Sequence, residues 1–113
     1  MSTENATILA VDDERGLVDI YRTWFGDTYD VRTAFGGREA LSAFDDSIDL
    51  VVLDRRMPGV SGDEVLEAIR EADHDCPVVM VTAVEPDEGM VELPFDAYVV
   101  KPIDKEELLE TVQ

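Results

Sequence analysis

Two kinds of apolar spacing alternate along this chain. The first is a run of five or six residues, rich in β-branched and aromatic side chains, at residues 7–11, 29–34, 49–53, 77–81 and 95–100. Runs of this length, bounded by Gly, Pro and Asp, predict strands. The second run carries Asp30 and Arg32 among its apolar residues, which places it at a sheet edge.

Between the runs, apolar residues return every three or four positions, as on one face of a helix. Leu17, Val18, Tyr21, Trp24 and Phe25 predict a helix from Glu14 to about Gly26, with Tyr21 and Trp24 as core anchors. Gly36-Gly37 turns the chain into a second helix that ends near Asp46, with Ala40, Leu41 and Phe44 inward. A third covers residues 61–72, burying Val65, Leu66 and Ile69, and Ser61 with Glu64 has the form of a capping box. Residues 84–94 carry Pro86, Gly89 and Pro94, which leaves room for a short fourth helix of about two turns. Asp104 can cap a last helix carrying Leu108, Leu109 and Val112.

Strand and helix thus alternate five times with short connections. That order predicts an α/β domain over residues 1–113, a parallel sheet with helices on both faces and right-handed crossovers. Neither an internal repeat nor an interdomain linker is visible.

A parallel sheet gives the strand ends a meaning. Strands one, three, four and five run into Asp12-Asp13, Asp54, Thr82 and Lys101, so all five residues converge on the carboxyl edge, where open α/β sheets gather their ligands. The third strand is the clearest case: Leu50-Val-Val-Leu reads as buried on both faces, and it delivers Asp54 into Arg55-Arg-Met-Pro-Gly59. Three carboxylates in one cleft repel by about 4 kcal/mol for a pair about 4 Å apart in a partly buried setting. Oxygen donors without His or Cys suit a hard divalent cation, and magnesium is the natural occupant. A carboxylate beside Mg2+, an ammonium and a hydroxyl is arranged to attack a phosphoryl group and become an aspartyl phosphate. The chain has only two lysines, Lys101 and Lys105, and one of them ends a strand. A compact ammonium there is not easily replaced by a planar guanidinium. Lys101-Pro102 is also a candidate cis peptide.

Composition narrows the partners. Twenty-seven acidic against nine basic residues give a net charge of −18, spread over the whole chain. This reads as a solvated surface suited to concentrated salt, where repulsion is screened within about 3 Å in molar solution. Direct binding to nucleic acid or an anionic membrane is not expected without a basic footprint. Cys76, the one cysteine, allows neither an internal disulfide nor a thiolate metal cluster, and before Pro77 it reads as a packed thiol. His74 falls in a polar link and reads as a surface residue. No signal-like or membrane-length apolar stretch is present, so a cytoplasmic, halophilic setting is expected.

Asp12-Asp13, Asp54 with Met57-Pro58-Gly59, Thr82-Ala83, and Tyr98 ahead of Lys101-Pro102 together resemble the response-regulator receiver domains of two-component signalling, along the whole chain. The resemblance implies a flavodoxin-like sheet of order 2-1-3-4-5 with five helices, and a signalling switch rather than an enzyme. It implies that Asp54 is the phosphoacceptor for a sensor histidine kinase, and that Thr82 and Lys101 contact the phosphoryl group. Mg2+ would be held by Asp13, Asp54 and the backbone carbonyl of Arg56, with Asp12 acting mostly through bound water. Thr82 and Tyr98 would form the switch that controls a C-terminal output domain or a downstream protein. Arg56 and Val84 would flank the site entrance and set phosphoryl lifetime.

Two departures stand out. Arg55 occupies a position that is usually apolar in the family, and the run Asp54-Arg-Arg-Met-Pro-Gly is similar to haloarchaeal receivers that precede a HalX-type output domain. Thr82 and Lys101 are nineteen positions apart, fewer than is usual, which leaves homodimerisation through that face open. Three other readings share parts of the pattern. A haloacid-dehalogenase-like phosphohydrolase uses the same residue types, but it places its nucleophile after the first strand with a second Asp two residues on, where Asp54 has Arg56. A flavodoxin-like FMN carrier needs a hydroxyl- and glycine-rich first loop. An unphosphorylated scaffold would keep the fold without the chemistry.

Overall fold

The computed structural model describes residues 6–72, 76–83 and 95–112. Nine elements follow one another: β1 (Thr7–Val11), α1 (Arg15–Phe25), β2 (Asp30–Ala34), α2 (Gly37–Ala43), β3 (Leu50–Asp54), α3 (Gly62–Glu71), β4 (Val78–Thr82), β5 (Ala97–Val100) and α4 (Lys105–Val112). The strands form one parallel sheet of order β2-β1-β3-β4-β5, with β2 at an edge. This is the expected flavodoxin-like arrangement. Four helices lie among the described residues where five were expected; the fourth predicted helix, Val84 and His74 lie outside them.

Alternation along the strands divides the core in two. Leu9, Val11, Val51, Leu53, Val78 and Met80 face α2 and α3, where they meet Ala40, Val65, Leu66 and Ile69. Ile8, Ala10, Val52, Val79, Val81 and Val99 face the other way, onto Tyr21 and Phe25 of α1 and Leu108 of α4. Both faces of the central strands are therefore buried, which is why their sequences read as unbroken apolar runs. Tyr21 is fully buried, whereas Trp24 is half-buried at the margin of the second layer.

The second helix departs from expectation. It stops at Ala43, and Leu41 is exposed. Starting at Gly37, the inward positions are Gly37, Ala40 and then Phe44, so Leu41 is turned a hundred degrees or so away from the sheet, roughly one residue step. Arg32 ends the helix by donating from Nη1 to the Ala43 carbonyl at 2.8 Å, and it also reaches Asp45 and Ser47 beyond. Cys76 is half-buried against the first core layer, a marginal position for a thiol expected inside.

The predicted caps form. Ser61 Oγ accepts the Glu64 N–H at 3.2 Å while Glu64 reaches back to Ser61 N, and Asp104 Oδ2 accepts the Glu107 N–H at 3.0 Å. Gly59 takes φ 78° in the turn after β3, a conformation that favours glycine. Gly62 lets α3 begin directly on the end of β3, because a Cβ there would stand 2.2 Å from the Asp54 carbonyl oxygen. The Lys101-Pro102 bond is cis, as anticipated.

Candidate functional site

Parallel register brings the strand ends together. Val11 pairs with Leu53, and Asp54 pairs with Val81, so Asp12 and Asp54 stand side by side one position past the packed layers. Thr82 pairs with Val100 on the next strand, and Lys101 follows, its N–H donating to the Thr82 carbonyl at 2.7 Å. All five residues expected at this edge are there.

Asp12, Asp54 and Thr82 are buried, and Asp13 is exposed at the rim. One carboxylate oxygen from each of Asp12, Asp13 and Asp54 lies within 4.8 Å of the others. Lys101 Nζ stands 3.4 Å from Asp54 Oδ1 and 3.6 Å from Asp12 Oδ2, bridging the two buried acids. Asp12 has two jobs: Oδ1 accepts the Glu14 N–H at 2.9 Å, which shapes the start of α1, while Oδ2 is buried in the cluster without a hydrogen-bond partner among the described residues.

The electrostatics follow from this crowding. Burial, reinforced by the charge on Asp12, pushes the Asp54 carboxyl up to about 6, although Lys101 opposes the rise. Burial raises Asp12 as well, against the Glu14 N–H and Lys101. For Lys101, burial disfavours the charge, but Asp54 and Asp12 outweigh it and hold its pKa above the ordinary lysine range. Buried acids raised in this way call for a cation. A buried carboxylate oxygen that takes no hydrogen bond from the described residues, set among hard oxygen donors, fits a divalent ion such as Mg2+.

Tyr21 is the residue that sequence reasoning gave to packing alone. Its hydroxyl is buried with no hydrogen-bond partner among the described residues, and its pKa is raised by burial and by the charges of Asp12 and Asp54. A tyrosine at helical spacing looks the same in sequence whether its hydroxyl meets a charge or a methyl group.

Two further residues are placed by the structure. Tyr98, on β5, is 44% exposed, its ring edge-on to Phe95 at 6.2 Å. Arg56 is exposed, whereas Arg55 is buried and paired with Asp63.

A family model described as the response regulator receiver domain matches residues 8–113. A Haloferax volcanii protein, provisionally assigned as a transcriptional regulator, is 56% identical over 107 residues, covering 94% of this chain and 18% of its own length. Response regulator SaeR of Staphylococcus aureus is 36% identical over 106 residues, covering 90% of this chain and 46% of its own. The chain thus spans less than half the length of these curated relatives. Among solved structures, chemotaxis protein CheY4 of Vibrio cholerae superposes with a TM-score of 0.89 at 33% identity, covering 96% of this chain and 97% of its own. A CheY-like response regulator receiver domain protein of Methanospirillum hungatei also gives 0.89, at 27% identity over 96% of this chain and 91% of its own.

Proposed function

The chain belongs to the response-regulator receiver family, and on that premise we propose that Asp54 accepts a phosphoryl group from the phosphohistidine of a sensor kinase. One observation carries the reading: Asp54 is held at the sheet edge between Asp12, Asp13 and Lys101.

In the transfer, an Asp54 carboxylate oxygen attacks phosphorus, and the phosphorus–nitrogen bond breaks with its electron pair on the imidazole, which takes a proton from solvent. Asp13, Asp54 and the backbone carbonyl of Arg56 would hold Mg2+, with Asp12 acting mostly through bound water, and the ion's charge would offset that of the transferring oxygens. Lys101 already balances Asp54 and Asp12 at 3.4 and 3.6 Å. Once Asp54 carries the phosphoryl group as an acyl phosphate, the Lys101 ammonium is released from the carboxylate to hold a phosphoryl oxygen. The Thr82 hydroxyl, one residue past Val81, donates to another.

The modified side chain carries a charge of about −1.5 to −2 at a buried position, in place of the single charge of the carboxylate. Thr82 moves toward it, and Tyr98, which stands outward on the neighbouring strand, turns into the space left behind. That exchange is the switch read by a C-terminal output domain or a downstream protein in the cytoplasm. An output of HalX type rests on the Asp54-to-Gly59 run alone.

Transfer from a kinase domain carrying radiolabelled phosphohistidine tests the reading. Label should move to this chain in Mg2+, stay on the kinase in EDTA, and be absent from Asp54→Asn. Label that appeared equally in Asp54→Asn would contradict the assignment.

A further inference from the structure

Arg55 and Arg56 are neighbours in sequence and opposites in place. Arg56 is exposed, while Arg55 is 9% exposed and turned against the start of α3. There its Nε donates to Asp63 Oδ1 at 3.1 Å, with Oδ2 at 3.4 Å from both Nε and Nη2. The main chain of Arg55 is fixed too: its N–H donates to the Val81 carbonyl at 2.9 Å, and its carbonyl accepts the Gly62 N–H at 2.8 Å. On the far side of Arg56, Met57 is buried in the first core layer. Arg56 is therefore suspended between two anchored neighbours, above a cleft of about 450 Å³ lined by Arg55, Arg56, Met57, Pro58, Ser61 and Asp63.

We propose that Arg55 is a positioning residue for the cation: its forked pair with Asp63 clamps the β3–α3 link so that the Arg56 carbonyl is held ready as a metal ligand. This inference rests on the metal site of the proposed function. A fork of N–H donors fixes angle as well as distance, which a single ammonium or an apolar side chain does not. The pair is also largely withdrawn from solvent, with side-chain exposures of 10% and 30%. It is therefore screened less by molar salt than a surface pair would be. Asp63 lies in the first turn of α3, where the helix N-terminus favours its charge. Finally, the charges that act most on Asp54 are those of Asp12, Lys101 and Asp13. Arg55 is not among them.

Isothermal titration of Mg2+ into the full chain in molar KCl separates positioning from simple charge. Removing a positive charge near a cation site tightens binding, and removing a negative one weakens it, so charge alone would move Arg55→Met and Asp63→Asn in opposite directions. Positioning moves both the same way. Each single variant should weaken Mg2+ binding by about tenfold, the usual scale for a group that supports a metal ligand. The double variant should lose no more than either single one. Urea unfolding of the metal-free proteins checks that each variant folds. Should Arg55→Met fail to fold, Arg55→Lys keeps the charge and loses the fork, and weaker Mg2+ binding is again expected. Arg55→Met, or Arg55→Lys in its place, binding as tightly as the parent would overturn the inference. A parent chain that bound no Mg2+ at all would instead bring down the metal reading and this inference with it.

Discussion

Asp54 combines two features that oppose each other, burial and charge. With its carboxyl pushed up to about 6 from an ordinary 3.8 by burial and by Asp12, the folded metal-free protein holds a proton that the unfolded chain has released between those two values. Its stability therefore falls as pH rises through that window, and the penalty is complete above it. Asp12 is shifted in the same direction. Asp54→Asn removes the Asp54 penalty and should gain about 3 kcal/mol at neutral pH, less at pH 5, in urea unfolding with EDTA. A variant less stable than the parent at neutral pH would mean that the Lys101 ion pair outweighs the burial. Lys101→Met should leave Mg2+ binding largely intact while impairing the response to phosphorylation. Loss of all metal binding in that variant would mean that the ammonium organises the acids rather than the phosphoryl group.

At the level of elements, the site depends on how closely α3 approaches β3. Gly62→Ala would place a methyl group 2.2 Å from the Asp54 carbonyl oxygen, backbone that cannot step aside. A loss of roughly 1–3 kcal/mol is expected, with weaker Mg2+ binding as β3 and the link are pried apart. Ser61→Ala removes one arm of the capping box and should cost about 1 kcal/mol without touching the acids. The strands and their polar ends were legible in sequence because both faces of a central parallel strand are buried, so each apolar run stops where the packed layers stop. Leu41 was not, since the face a short helix presents depends on which residue starts it. Nor was the burial of Arg55: beside Arg56 it reads as surface charge, and its pairing with Asp63 across the link shows only in the fold. The Tyr21 hydroxyl, buried without a hydrogen-bond partner among the described residues, was hidden for the same reason, since the acids whose charges act on it are distant in sequence.

The whole molecule carries a charge of −18, and its 56% identical relative is from Haloferax volcanii, in keeping with a surface suited to concentrated salt. Repulsion reaches about 10 Å at 0.1 M salt and about 3 Å at 1 M. The melting temperature should therefore fall as KCl is lowered between these concentrations, and a melting temperature indifferent to salt would contradict a surface held together by screening. Among the described residues no helix is long and apolar enough to cross a membrane. The comparisons extend over nearly the whole chain but only part of the curated relatives.

The measurement that bears most directly on the phosphoacceptor is intact mass after incubation with acetyl phosphate and Mg2+ in high salt, beside Asp54→Asn. A gain of about 80 Da, one phosphoryl group, is expected in the parent, removed by hydroxylamine and absent from the variant. The same gain in Asp54→Asn, or none in the parent with acetyl phosphate left intact, would contradict the phosphoacceptor.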